Sequence, residues 1–190
     1  MIIENIKEEI IKLSEEYKNN SKDKYDFWNE HIKFVYEEAI NIAGIYNADL
    51  EIVSLGALLH DVALIKKIGT RLEHHINGKI LSEEILKKYN YPQDKLEKVL
   101  SCVYNHRSSK NATNIEEICV ADADILAHFD NIPMLFNSLL IRNNVSYNDL
   151  KESIKNSFEK DYNDLSDKTK ETFKERYELI LDIILNEKIR

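Results

Sequence analysis

Apolar residues recur at intervals of three and four along most of this 190-residue chain, and this period constrains its fold more than any other feature. An amphipathic helix shows that spacing because one of its sides faces a core. The first helical stripe consists of Ile2, Ile6, Ile10, Leu13 and Tyr17. The composition, with four Gly and two Pro in the whole chain, also suits helices better than a turn-rich β fold. The pattern predicts one all-α domain spanning residues 1–190.

The same period predicts helices through the rest of the chain. One should cover about residues 26–46, a second should follow a cap at Asp49 and end at His60-Asp61, and a third should break at Tyr91-Pro92. Pro92 can occupy the first position of the next helix, and Asn114 can cap the one after it. Further helices are expected over about 133–142, over about 147–162 and from Ser166 onward. The buried stripe predicted for the last helix consists of Thr169, Phe173, Tyr177, Ile180 and Ile184.

Composition also narrows the class of partner and the compartment. The net charge of −8 disfavours binding to nucleic acid polymers or to an anionic membrane, but it leaves small phosphorylated ligands open. The charged residues near the start are not those of a signal peptide, and no apolar run is long enough to span a bilayer. Cys102 and Cys119 are expected to be reduced core residues. We therefore expect a cytoplasmic protein, with a homo-oligomer left open.

His60 and Asp61 stand at the end of a run of small and apolar residues, Ser54 to Val62. Burying an imidazole and a carboxylate without partners is costly. A divalent cation held together with other residues would supply the partner. A core pair stabilised by hydrogen bonds alone is the alternative.

Other candidate ligands lie on helix faces directed at the same core. His31 is turned inward by its spacing from Trp28 and Val35, and Asp124 lies on another apolar helix. Together with His60 and Asp61 they form two imidazoles and two carboxylates, a set suited to Mn, Fe, Zn or Mg, with Ni and Co not distinguished. His74 and His106 could complete a second position, with Asp61 bridging two metals.

The ordered series His31, His60-Asp61, Asp124 resembles the HD-domain superfamily of metal-dependent phosphohydrolases. The resemblance extends over about residues 28–128, with helices of about 133–190 as an extension. The matching blocks are Trp28-Asn-Glu-His31-Ile, Ala48-Asp49-Leu-Glu-Ile, Ala57-Leu-Leu-His60-Asp61-Val, His74 with Gly78, and Ala123-Asp124-x-Leu126. Ala63 and Leu64 stand where cyclic-dinucleotide branches often carry Gly and Lys, so that substrate class is not expected.

This resemblance implies hydrolysis of a phosphoester or phosphoanhydride, of a nucleotide or another small metabolite, by a metal-activated water. His60 and Asp61 would be central to catalysis, one or two divalent ions would be bound, and His74 and His106 would hold the second ion or the substrate phosphate. Basic residues expected near the phosphate are Lys66, Lys67, Arg71, Arg107 and Lys110. An ordinary solvated turn is the alternative for residues 66–71. Asp122 could orient a ligating histidine or lie on the helix surface, and His128 is expected to be a structural neighbour of Asp124.

Two other functions are compatible with the same residues. Some relatives of the HD superfamily use a di-iron centre to activate oxygen, and they too add histidines to the basic four ligands. A non-catalytic ligand sensor or assembly module is the other alternative. Iron content with oxygen consumption would identify the first, and a lack of turnover across many phosphorylated compounds would favour the second.

Overall fold

The computed structural model describes residues 2–142, 146 and 149–185, and within these ranges it contains helices and no strand. The all-α prediction is confirmed. The α-helices are α1 (Ile2–Asn20), α2 (Lys33–Tyr46), α3 (Leu50–Leu59), α4 (Val62–Ile65), α5 (His74–Lys88), α6 (Gln93–Asn105), α7 (Ile115–Asp130), α8 (Ile132–Asn137), α9 (Leu150–Asp164) and α10 (Asp167–Leu185). None of these helices combines the length and the apolar composition needed to cross a bilayer.

Helices α3 and α7 occupy the middle of the fold. Helix α7 packs against α2, α3, α6 and α9, and α3 also contacts α1, α2 and α6. All residues from Ile52 to Leu59 are buried, as expected for a helix that is apolar all round. Because α3 runs through the core, the His60-Asp61 pair at its end lies inside the molecule.

Side-chain caps set several helix starts, as the sequence predicts. The Asp49 carboxylate accepts hydrogen bonds from the backbone N–H groups of Glu51 and Ile52, and the Asn114 side chain accepts one from that of Glu117. Pro92 differs from the prediction, since it is the capping residue before α6 rather than its first helical residue.

The helix predicted over 26–46 does not begin as a regular α-helix. Residues Trp28–Ile32 form a π-helical turn that leads directly into α2. A π turn adds a residue to the local repeat and is often found at functional sites. His31 lies within this turn, and its side chain is directed inward and buried.

The helix that carries Ser54 to Leu59 is shorter than predicted. It ends at Leu59, and α4 begins at Val62. His60 and Asp61 therefore occupy the junction between two helices. His60 keeps helical backbone angles, whereas Asp61 departs from them at φ −104° and ψ 14°. Both side chains are buried in the same interior region.

The C-terminal helices pack on α7. Phe158 of α9 stacks on Phe129 with ring centroids 4.7 Å apart. Helix α8 ends at Asn137 and a second π-helical turn, Ser138–Arg142, replaces the α-helix predicted there. Thr169, Phe173 and Tyr177 are buried as expected. Ile180 is partly buried, whereas Tyr147 and the Ile184 side chain lie outside the part of the chain that the structure describes.

Candidate metal centre

Three of the four ligands predicted for the first metal lie together: His31, His60 and Asp124. His31 Nε2 lies 3.1 Å from His60 Nε2 and 3.0 Å from Asp124 Oδ1. His60 Nε2 lies 3.7 Å from the same Asp124 oxygen. These three atoms lie within 4.8 Å of one another, close enough to hold one ion. We call this set the first trio.

A second trio is formed by Asp61, His74 and His106. His74 comes from the first residue of α5 and His106 directly follows α6, and their Nε2 atoms are 2.9 Å apart. Asp61 Oδ1 lies 3.4 Å from His74 Nε2 and 4.0 Å from His106 Nε2. All six predicted ligands are thus brought to one region.

Asp61 connects the two trios. Its Oδ1 faces the second trio, and its Oδ2 lies 3.7 Å from His31 Nε2 and 3.6 Å from His60 Nε2 in the first. A carboxylate with one oxygen toward each set of ligands can bridge two metal ions. Asp61 lies between the two trios, and its bridging role stays a prediction.

Three of the histidines are oriented by backbone carbonyls three residues earlier in the chain. His60 Nδ1 lies 2.7 Å from the Ala57 oxygen. The Nδ1 atoms of His74 and His106 lie 2.6 Å from the oxygens of Arg71 and Val103. An Nδ1–H that donates to a carbonyl leaves the lone pair of the neutral ring on Nε2, the atom that points into the site.

The His74 and His106 rings show that the trios fit a cation. Each donates its Nδ1–H to a carbonyl, so two Nε2 lone pairs face each other across 2.9 Å. Two neutral imidazoles in this tautomer repel, and a cation close to both nitrogens converts that repulsion into attraction. Nitrogen and carboxylate oxygen donors without thiolates suit Mn, Fe, Zn, Ni or Co.

The surroundings of Asp124, Asp61 and His106 favour the deprotonated forms that metals require of ligands. Burial alone would raise the pKa of the Asp124 carboxyl, but the hydrogen bond from His31 and the charges of the nearby histidines hold it well below its ordinary value. The pKa of Asp61 is lowered against its own burial, most strongly by His60. Burial, followed by the charge of His60, lowers the pKa of His106 to about 4.

His31 differs from the other ligating histidines. Its Nδ1 is buried and has no hydrogen-bond partner. Its ring is oriented by the π-helical turn and by the contact of Nε2 with Asp124. An imidazole whose polar contacts all lie on the Nε2 side is another sign that this edge of the ring is the functional one.

His128 and Asp122 take different positions from each other on α7. His128 lies at the first trio, with its ring stacked on that of His31 at a centroid distance of 6.2 Å, and its Nδ1 is 2.9 Å from Asp161 Oδ2. Burial lowers the pKa of His128, but the hydrogen bond and the charge of Asp161 raise it above its ordinary value.

Asp122 is fully buried and accepts hydrogen bonds from the Ser166 N–H and hydroxyl groups. Both suggestions made for Asp122 from the sequence are therefore wrong, since it neither orients a histidine nor lies on the surface.

The five basic residues predicted to bind phosphate occupy different surroundings. Lys67 Nζ lies 4.5 Å from the centre of the Tyr17 ring, and Lys110 forms an ion pair with Asp164. Arg107 donates a hydrogen bond to the Leu72 carbonyl, and Lys66 is exposed. The Arg71 side chain is also exposed, and the Arg71 backbone carbonyl accepts the Nδ1–H of His74 in the second trio.

Comparison with known proteins agrees with this architecture. The HD domain family matches residues 29–128, more than half of the chain. The chain therefore belongs to the HD domain family, whose members are typically metal-dependent hydrolases that bind divalent metals. The predicted resemblance is confirmed.

One solved structure is similar over almost the full length of both chains. It is the crystal structure of a predicted HD superfamily hydrolase from an uncultured Thermotogales bacterium, with a TM-score of 0.62 and 18% sequence identity. The alignment covers 94% of this chain and 89% of that one. At this identity the likeness shows the fold alone. None of the curated proteins matches the chain.

Asp161 is the residue near the site that sequence reasoning missed. It stands 33 residues after His128, on a helix outside the matched segment. No local pattern links the two residues, because their contact depends on how α9 packs against α7. The sequence contains no signal that names Asp161 as the partner of His128.

Proposed function

We propose that this protein is a metal-dependent phosphohydrolase that cleaves a phosphoester or phosphoanhydride of a small metabolite such as a nucleotide. The observation that carries the proposal is the pair of trios joined by Asp61, whose two oxygens face His31 and His60 on one side and His74 and His106 on the other. Such a shared carboxylate suits two metal ions that act on one phosphoryl group.

The chain's own residues supply binding and orientation. His60, His74 and His106 would hold metal through nitrogens whose direction is set by backbone carbonyls. Divalent ions bound there would polarise a phosphoryl oxygen and make water a stronger nucleophile. The Arg71 guanidinium is suited to offset negative charge on the substrate. This local cation makes an anionic substrate compatible with a chain whose net charge is −8.

The test is a phosphate-release assay on protein loaded separately with Mn, Fe, Mg, Zn, Co or Ni. Substrates would include nucleoside mono- and triphosphates and general phosphomonoesters. Asp61→Ala should abolish turnover and lower the bound metal, because it removes the oxygen ligand of the second trio and the oxygen that faces the first trio. His75→Ala is the matched control, since His75 is a neighbouring histidine outside both trios, and it should keep activity and metal. A metal-free Asp61→Ala protein with full activity would contradict the proposal.

The same metal-loaded preparations distinguish the proposed phosphohydrolase from the two alternative functions. Oxygen consumption by the iron-loaded protein, without phosphate release from any substrate, would indicate a di-iron oxygenase. Ligand binding without either reaction would indicate a sensor. Elemental analysis of the purified protein would show which metal it retains.

A further inference from the structure

His128 and Asp161 form a pair beside the metal centre that the proposed function does not use. His128 lies on α7, one helical turn after Asp124, and Asp161 lies on α9. Their side chains meet at 2.9 Å between Nδ1 and Oδ2. The pair therefore links the first trio to a helix beyond residues 29–128, the segment that matches the family.

The His128 side chain lies between the metal ligands and solvent. It is 34% exposed, compared with 9% for His31 and 0% for His60 in the first trio. Its ring is nearly parallel to that of His31, at an interplanar angle of 21°. A group bound at the first trio from the solvent side would meet His128 at the opening.

His128 differs from the ligating histidines in the partner of its Nδ1. His60, His74 and His106 are oriented by neutral carbonyls, whereas the Nδ1–H of His128 points at a carboxylate that is 15% exposed. Among the described residues, neither candidate metal trio includes His128. With Nδ1 held by Asp161, Nε2 is the ring atom left for another partner.

Arg71 is a basic residue next to the second trio. Its backbone carbonyl accepts the Nδ1–H of His74, and its side chain is exposed. Arginine and histidine side chains both donate hydrogen bonds to anions. Phosphate recognition commonly combines metal ions with such donors.

We propose that His128 contacts a phosphoryl oxygen of the bound substrate through Nε2, and that Asp161 is a positioning residue that fixes the direction of the His128 ring. This inference deepens the proposed function and depends on it for the identity of the substrate. It also makes α9 part of the substrate site.

The test is binding of inorganic phosphate to the manganese-loaded protein, measured by calorimetry and independent of turnover. His128→Asn places an amide nitrogen where Nδ1 was and has no atom at the Nε2 position, whereas His128→Gln reaches that position. We expect His128→Asn to weaken phosphate binding about 10-fold or more, the range of a hydrogen bond to a charged group. His128→Gln should lose less, and both variants should keep the manganese content of the wild type.

Asp161 provides a second and independent comparison. Asp161→Ala should weaken phosphate binding several-fold, and Asp161→Asn should restore part of it because its side-chain oxygen still accepts the Nδ1–H. Glu159→Ala is the control on the same helix, since Glu159 is exposed and pairs only loosely with Lys155 at 4.0 Å. It should bind phosphate as the wild type does.

Three results would overturn the inference. They are wild-type phosphate affinity in His128→Asn, loss of manganese from that variant, or no phosphate binding by the manganese-loaded wild type. Phosphate binding that depends on His128, in a protein that hydrolyses none of the tested compounds, would contradict the proposed function and leave the His128 contact standing. The two proposals therefore fail in different ways.

Discussion

At the scale of single residues, the site depends on a histidine kept neutral inside the protein. His106 is almost completely buried, and its Nδ1 is satisfied by the Val103 carbonyl of its own chain segment. Protonating such a ring would add a charge where water cannot solvate it. The same arrangement that leaves Nε2 free for a metal therefore makes the metal-free protein sensitive to acid.

The pKa of His106 predicts the direction in which stability changes with pH. Its pKa is lowered from the ordinary 6.5 to about 4, chiefly by burial. The unfolded chain therefore takes up the proton more readily than the folded one, so its contribution to stability is complete above pH 6.5 and is lost as the pH falls toward 4. The loss should be on the order of 3 kcal/mol in the free energy of unfolding.

Urea unfolding of chelator-treated protein at several pH values between 7.5 and 4 measures this effect. His106→Gln removes the titrating group and should flatten the dependence in that window. An equally steep decline in the variant would show that other groups are responsible.

At the scale of the elements, α3 positions His60 and Asp61 by approaching its neighbours closely. A Cβ on Gly56 would lie 2.8 Å from Cys102 Cβ on α6 and 3.1 Å from Val120 Cγ2 on α7. Glycine is needed there because of this close approach and not because of its backbone angles. Gly44 on α2 is different, since a Cβ at that position meets nothing within 4 Å.

The two glycines make a matched pair of variants. Gly56→Ala should destabilise the protein by about 1–3 kcal/mol, because it overpacks the contact of α3 with α6 and α7. Since α3 leads into His60 and Asp61, metal content should fall as well. Gly44→Ala should stabilise by up to about 1 kcal/mol, the difference in helix propensity. Thermal unfolding and elemental analysis check both, and a neutral Gly56→Ala would show that the helices can separate without cost.

At the scale of the whole molecule, α9 and α10 are attached to the matched segment by buried polar contacts as well as by aromatic packing. Asp122 of α7 accepts hydrogen bonds from Ser166, whose hydroxyl also lies 2.7 Å from that of Tyr46. Arg176 forms ion pairs with Glu38 of α2 and Asp130 of α7. These contacts hold Asp161 in place beside His128. That residues 1–190 form one domain stays a prediction.

Ser166→Ala tests this attachment. It leaves the buried Asp122 carboxylate without the serine hydroxyl, and it should lower the free energy of unfolding by about 1–3 kcal/mol. Thr172→Ala, at an exposed position of α10, removes a hydroxyl that donates to the Lys168 carbonyl, and it should have almost no effect. Equal stabilities of the two variants, measured by urea unfolding, would show that the Asp122 contact does not hold the C-terminal helices.

The sequence by itself determined the helical class, the caps at Asp49 and Asn114, the HD family, and the set of side chains that face the core. The helical class and the core-facing side chains follow from local spacing, because the period of a helix decides which side of it is buried. The family follows from the ordered motifs around His31, His60-Asp61 and Asp124. The tertiary structure alone decided the distances within each trio and placed Asp61 with the second. It also decided the π-helical turn at His31 and the pairing of His128 with Asp161. Spacing along one helix determines which way a side chain faces. The residue that it contacts on another helix is determined by how the helices pack.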